Sequence, residues 1–119
     1  MSYVHDNKKP VVLKNDPADE NGTDWIYFSY QDWLRTGETI SDHHAFVTGG
    51  IVATDSTYLG TMEDRAGVTF SDVYGVQFTV DAGATTVMVT HRVSTTTTGA
   101  VDLGRLNMDM SATLPVRVL

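Results

Sequence analysis

The chain has no cysteine, three prolines among 119 residues, and only eight basic side chains against fifteen acidic ones. Without cysteine, neither a disulfide nor a thiolate metal site can form. A chain of this length folds around one core without such staples, so the absence carries no message about compartment. No run of about 18 apolar residues occurs, which a membrane helix would need, and Met1-Ser2-Tyr3 does not open a signal peptide. The chain is therefore expected neither to span a membrane nor to be exported by that route. The formal net charge is -7, and the basic residues are scattered apart from Lys8-Lys9. Displacing counterions from a phosphate backbone takes clustered Lys and Arg, so neither nucleic acid nor membrane is an expected partner. Helical periodicity is missing too: nowhere do apolar residues recur at i, i+3, i+4 and i+7 over a helical length.

Alternation with a period of two is what the chain does have. Residues 1–9 carry no pattern and read as a flexible N-terminal arm, leaving 10–119 as one domain. Pro10-Val11-Val12-Leu13 reads as a short strand that its proline suits to a sheet edge. The segment NDPADENGTD, residues 15–24, is a cluster of turn formers and reads as a loop. It contains the formal sequon Asn21-Gly22-Thr23, to which the missing export signal gives little weight. Ile26, Phe28 and Tyr30 then alternate with Tyr27, Ser29 and Gln31, the pattern of a half-buried strand. Trp33-Leu34 breaks the period, so the chain bends there and drops both side chains over an end of the core. In the next strand Ile40, Asp42, His44 and Phe46 share one face, until Gly49-Gly50 stops it.

Ile51 to Thr54 opens a short strand, and the polar, turn-rich residues 55–67 read as a loop. Val76, Phe78 and Val80 alternate, residues 81–84 turn, and Val87, Val89, His91 and Val93 face one way. The TTTTG of residues 95–99 reads as a hairpin tip. On the return strand the apolar phase changes between Leu103 and Leu106, which a β-bulge at Gly104 would restore. Leu114-Pro115-Val116-Arg117-Val118 reads as a last edge strand or extended tail. These runs predict an all-β fold, an immunoglobulin-like antiparallel β-sandwich of about seven or eight strands. Its expected core is Phe28, Tyr30, Trp33, Leu34, Ile40, Phe46, Phe78, Val87, Val89 and His91. Its expected partner contacts lie on the two edge segments, at Val11 and Leu13 and at Leu114 and Val116.

Candidate chemistry is thin. His43 and His44 are adjacent on a strand and point to opposite faces, so they do not share a metal. Asp42 and His44 can share a face, but zinc wants three or four converging ligands. His91 falls on an apolar face and reads as a hydrogen-bonded core histidine. Glu63-Asp64-Arg65 reads as a solvated cluster, and residues 15–24 are rich in oxygen ligands without the spacing of a calcium loop. No serine sits in a nucleophile elbow and no glycine-rich loop opens a helix. Neither catalysis nor a cofactor is expected.

One ordered set of motifs is more specific. Lys14 through Pro17, the aromatic strand with Phe28 and Tyr30, Asp32-Trp33-Leu34 and Gly37-Glu38-Thr39-Ile40 follow one another in the first third of the chain. Residues 87–110, VMVTHRVSTTTTGAVDLGRLNMDM, form a strand, a polar tip and a return. Together they resemble the small phage virion proteins called fibre–tail adaptor proteins. The resemblance covers residues 13–119 and is firmest over 28–40. The long 55–75 segment and the ending SATLPVRVL depart from the family's pattern. It implies an immunoglobulin-like sandwich in a tailed-phage virion, present in several copies and linking fibre or neck parts to the tail without catalysis. A capsid decoration protein would use the same fold. A carbohydrate-binding module, with Trp25, Tyr58 or Tyr74 as stacking platforms, is the alternative of another class.

Overall fold

A computed structural model describes residues 10–13, 18–19, 22–97 and 107–117. The segments read as an arm at 1–9 and as a bulge at Gly104 lie outside the described residues. Eight strands run in chain order: β1 (Val11–Val12), β2 (Ala18–Asp19), β3 (Thr23–Ser29), β4 (Glu38–Thr48), β5 (Gly50–Glu63), β6 (Thr69–Val80), β7 (Thr86–Thr97) and β8 (Met108–Arg117). They form two four-stranded sheets, β1-β3-β6-β5 and β2-β8-β7-β4. The fold is an all-β sandwich. Pairing is antiparallel except between β2 and β8, where Ala18 and Asp19 run parallel to Val116 and Arg117.

The core is where the inward sides of the alternating strands meet. Ile26 and Phe28 from β3, with Tyr74, Val76, Phe78 and Val80 from β6, face Val87, Val89, His91 and Val93 from β7 and Leu114 from β8; all are buried. Just after β3 the chain turns over the end of the sandwich. The amides of Trp33 and Leu34 both donate to the Tyr30 carbonyl, at 3.1 and 3.0 Å. Trp33 is buried edge-on against Tyr30, with ring centroids 5.7 Å apart, while Leu34 and Ile40 are partly buried against the core.

Phe46 is not a core residue: it is 47% exposed. The register of β4 against β7 shifts between Ile40 and Asp42. One extra residue there flips the alternation. Before it Glu38 and Ile40 turn inward; beyond it His43, Ala45 and Val47 do. Phe46 lies on the outer face under the Arg92 guanidinium, 4.8 Å above its ring.

Three further readings are corrected. Most of residues 55–67 is strand, because β5 continues to Glu63. Its polarity and weak pattern belong to an exposed sheet edge whose register against β6 shifts four times. Only the tip turns, and there the Asp64 carboxylate accepts the amides of Ala66 and Val68, each at 2.9 Å. At Val116 and Arg117 β8 is no edge, since both pair with Ala18 and Asp19 of β2. Leu114, opposite Val87 of β7, is 4% exposed, so its side chain belongs to the core, and Val116 is half-buried. Of the tip read at 95–99, residues 95–97 belong to β7, and the rest lies outside the described residues.

Gly49 and Gly50 carry the chain from one sheet to the other in a single step. Gly49 has φ +87°, and a Cβ there would come within 2.5 Å of the Thr86 carbonyl oxygen. A Cβ on Gly50 would overlap the Thr79 carbonyl oxygen. Backbone, not a side chain, occupies both spaces and cannot yield cheaply.

Urea unfolding distinguishes these positions. Trp33→Ala is expected to lose about 3–5 kcal/mol, as a large-to-small core change does. Phe46→Ala should lose less than about 1 kcal/mol, the scale of an exposed cation–π contact. A comparable loss at both positions would contradict the placement of the bulge.

Candidate functional site

The densest polar arrangement lies inside the sandwich. On the apolar face of β7, His91 is fully buried. Its Nδ1 is 2.7 Å from the Tyr30 hydroxyl and its Nε2 is 2.5 Å from Ser56 Oγ on β5. Ser56 Oγ is in turn 2.7 Å from His43 Nδ1 on β4. One direction of donation satisfies every group. Tyr30 donates to His91 Nδ1, His91 Nε2–H donates to Ser56, and the Ser56 hydroxyl donates to His43. Reversed, the Tyr30 proton would have no acceptor among the described residues, a costly arrangement in a buried site.

Electrostatics agree with that direction. Burial pushes the His91 pKa down from 6.5 to about 4, His43 and His44 add to the shift, and Asp55 opposes it. Burial also raises the Tyr30 phenol well above its ordinary value, with Tyr74 and Asp109 adding to it. Both groups are neutral at pH 7. Phe28 stacks on His91, with ring centroids 5.3 Å apart, so the imidazole packs as an aromatic and bonds as a polar group.

A serine donating to a histidine is also the elementary unit of nucleophilic catalysis. Here the Ser56 oxygen is engaged twice, by a donor and an acceptor. Neither of the two open hollows described below is lined by Ser56, His43 or His91. The arrangement acts as a tie: Tyr30 and Ser56 belong to one layer, His91 and His43 to the other.

Asp55 adds a second tie beside it. Its Oδ1 accepts the Ala45 amide of β4 at 2.8 Å, and its Oδ2 lies 3.4 Å from His44 Nδ1. Burial opposes ionisation of Asp55, but the Ser56 and Ala45 amides and His44 outweigh it and hold its pKa below the usual carboxylate range. His44 also contacts Asp42, at 3.1 Å. Among the described residues no group of three or more His, Asp or Glu side chains is placed to hold a metal.

Surfaces open to a partner lie elsewhere. Among the described residues β1 is an edge of its sheet, paired only with β3 through Val11–Ser29 and Val12–Phe28. Val11 and Leu13 are half-buried there and line a hollow of about 590 Å³ with Tyr27, Met62 and Phe70. Glu63, Asp64 and Arg65 form part of its wall. Of the rings considered as sugar platforms, Tyr58 is 57% exposed and Tyr74 only 6%. Trp25 is half-buried, lying over Gly75, where a Cβ would meet its ring at 3.1 Å.

Sequence reasoning placed His91 in the core but paired it with nothing. Ser56 was missed because it sat in a stretch read as loop, and His43 because the β4 bulge was not seen. The one available signal was the inward position of a histidine on an otherwise apolar face, which demands two buried partners. Compared with family models, curated proteins and solved structures, the chain matches none.

Between pH 6.5 and about 4 the unfolded chain binds a proton at His91 and the folded chain does not. Stability therefore falls as pH drops through that window, by roughly 3 kcal/mol in total. His91→Gln should be less stable at pH 7 and should lose this slope; denaturant titrations at pH 7, 6, 5 and 4 measure both. An equal slope in the variant would assign the effect to other groups.

Proposed function

We propose that the protein is a non-enzymatic structural component of a tailed-phage virion, an adaptor that joins fibre or neck parts to the tail through protein–protein contacts. The observation carrying the reading is the pairing of a closed core with an open rim. The buried polar groups tie the sheets together, whereas β1, an edge among the described residues, lies beside the hollow that Tyr27, Met62 and Phe70 line together with Glu63, Asp64 and Arg65. An edge strand beside such a hollow suits β-augmentation by an extended segment of a neighbour. Val11 and Leu13 are the contacts on this side. The motif resemblance over residues 13–119 supplies the particle, and the net charge of -7 suits a more basic neighbour.

Several copies per particle follow from the ring symmetry of virion parts. Quantitative mass spectrometry of purified particles tests this. An adaptor is present at about a dozen copies or fewer and stays with tails when heads are removed. Hundreds of copies on heads would make it a decoration protein, and absence from particles would end the virion reading.

A further inference from the structure

A second hollow, of about 320 Å³, opens between the turn after Trp33 and the β5–β6 edge. Leu34 and Ile40 give it apolar lining, and Glu38, Tyr58, Asp72 and Tyr74 give it polar lining. Three features set it apart. The Tyr74 residue is 6% exposed, and its hydroxyl, which is not itself buried, makes no hydrogen bond among the described residues. The Tyr58 and Tyr74 rings stand 5.1 Å apart at 53°, the Tyr58 ring exposed and the Tyr74 ring largely covered behind it. Asp72 holds a left-handed backbone, φ +52°, and its carboxylate receives only a long contact of 3.5 Å from the Ser71 hydroxyl. A non-glycine residue held there costs free energy, and such positions cluster at ligand clamps.

The charge facing this hollow is of one sign. Its carboxylates accept, its Tyr58, Tyr74 and Thr39 hydroxyls can both donate and accept, and among the described residues no lysine, arginine or histidine lines it. Glu38 is already engaged, accepting the Arg35 amide at 3.0 Å and the Thr95 hydroxyl at 2.7 Å. Asp72 and the Tyr74 hydroxyl are the groups left to receive a donor. Burial, then Tyr58, then Asp72 push the Tyr74 phenol up to about 12, so it is neutral at pH 7 and the Asp72 and Glu38 carboxylates supply the negative charge at this mouth. A cation relieves it. An ammonium or guanidinium also binds aromatic faces, and its aliphatic stem covers apolar surface such as that of Leu34 and Ile40.

We propose that this hollow receives one basic side chain, arginine or lysine, of a partner protein, with the cation between Asp72 and the Tyr58–Tyr74 pair and its stem on Leu34 and Ile40. The inference rests on the reading of the chain as a protein-contact module and names the chemistry of one anchor in that contact.

The full chain titrated with Nα-acetyl-arginine N-methylamide, or its lysine counterpart, and followed by ¹⁵N–¹H NMR tests it. Saturable shifts centred on Leu34, Tyr58, Asp72 and Tyr74 are expected with at least one of the two. Asp72→Asn keeps a residue that tolerates positive φ and should weaken binding about tenfold, the loss of a charge-assisted contact. Tyr58→Leu, at an exposed position, should weaken it severalfold. Absence of saturable shifts with both amides, or unchanged affinity in Asp72→Asn, overturns the proposal. So does an equal response to methyl glucoside, which would make the hollow a sugar site. The outcome is separable from that of the particle measurement. Amide binding by a chain absent from virions keeps the site and removes the virion role, and the opposite pair of results does the reverse.

Discussion

The two sheets close over an imidazole that must stay uncharged. His91 is fully buried in the middle of β7, and its two nitrogens reach the Tyr30 hydroxyl and Ser56 on the opposite layer. Apolar contact alone would let two layers slide, because dispersion and burial have little direction. Hydrogen bonds that run from Tyr30 through His91 and Ser56 to His43 fix one relative position. The cost is desolvation of several polar groups, offset only when all are satisfied at once. Around that tie the remaining core is mostly valine, phenylalanine and isoleucine, with Trp33, Tyr74, Leu114 and two alanines, Ala18 and Ala45.

His91, Ser56 and His43 hold the layers together, and the sheet edges form the rims. Each rim differs. β4 and β5, the outer strands on one side, are joined to each other through Gly49 and bridged by Asp55, and their bulges break the flat ladder that invites unwanted pairing. β1 is two residues long and stands without a bulge beside the larger hollow. In the proposed role the first rim is sealed and the second is the receptor.

How much of this could be read from the residues depended on periodicity. The alternation over Ile26–Tyr30 and over Val87–Val93 is unbroken, and those strands lie where the pattern put them. Residues 38–48 also alternate, but a single inserted position at Ser41 reversed which half faces the core, and nothing in the local composition marks it. Phe46 looked like core because hydrophobicity says nothing about phase. The residues from Asp55 to Glu63 looked like a loop because an edge strand exposed to water need not be apolar. Tyr58 and Tyr74 were visible as aromatic residues, whereas the contact between their rings exists only once β5 and β6 pair. The β2–β8 ladder was invisible for another reason: two residues carry no period.

That short ladder has its own consequence. Ala18 and Asp19 pair with Val116 and Arg117, and the Arg117 guanidinium meets the Asp19 carboxylate at 2.7 Å. Strands whose paired residues lie 98 positions apart in sequence are thus neighbours. Contacts this distant in sequence form late, because closure entropy comes due before they return anything. On a ribosome the second layer cannot be completed until its final strand has cleared the exit tunnel, leaving the earlier, sticky faces waiting for their lid.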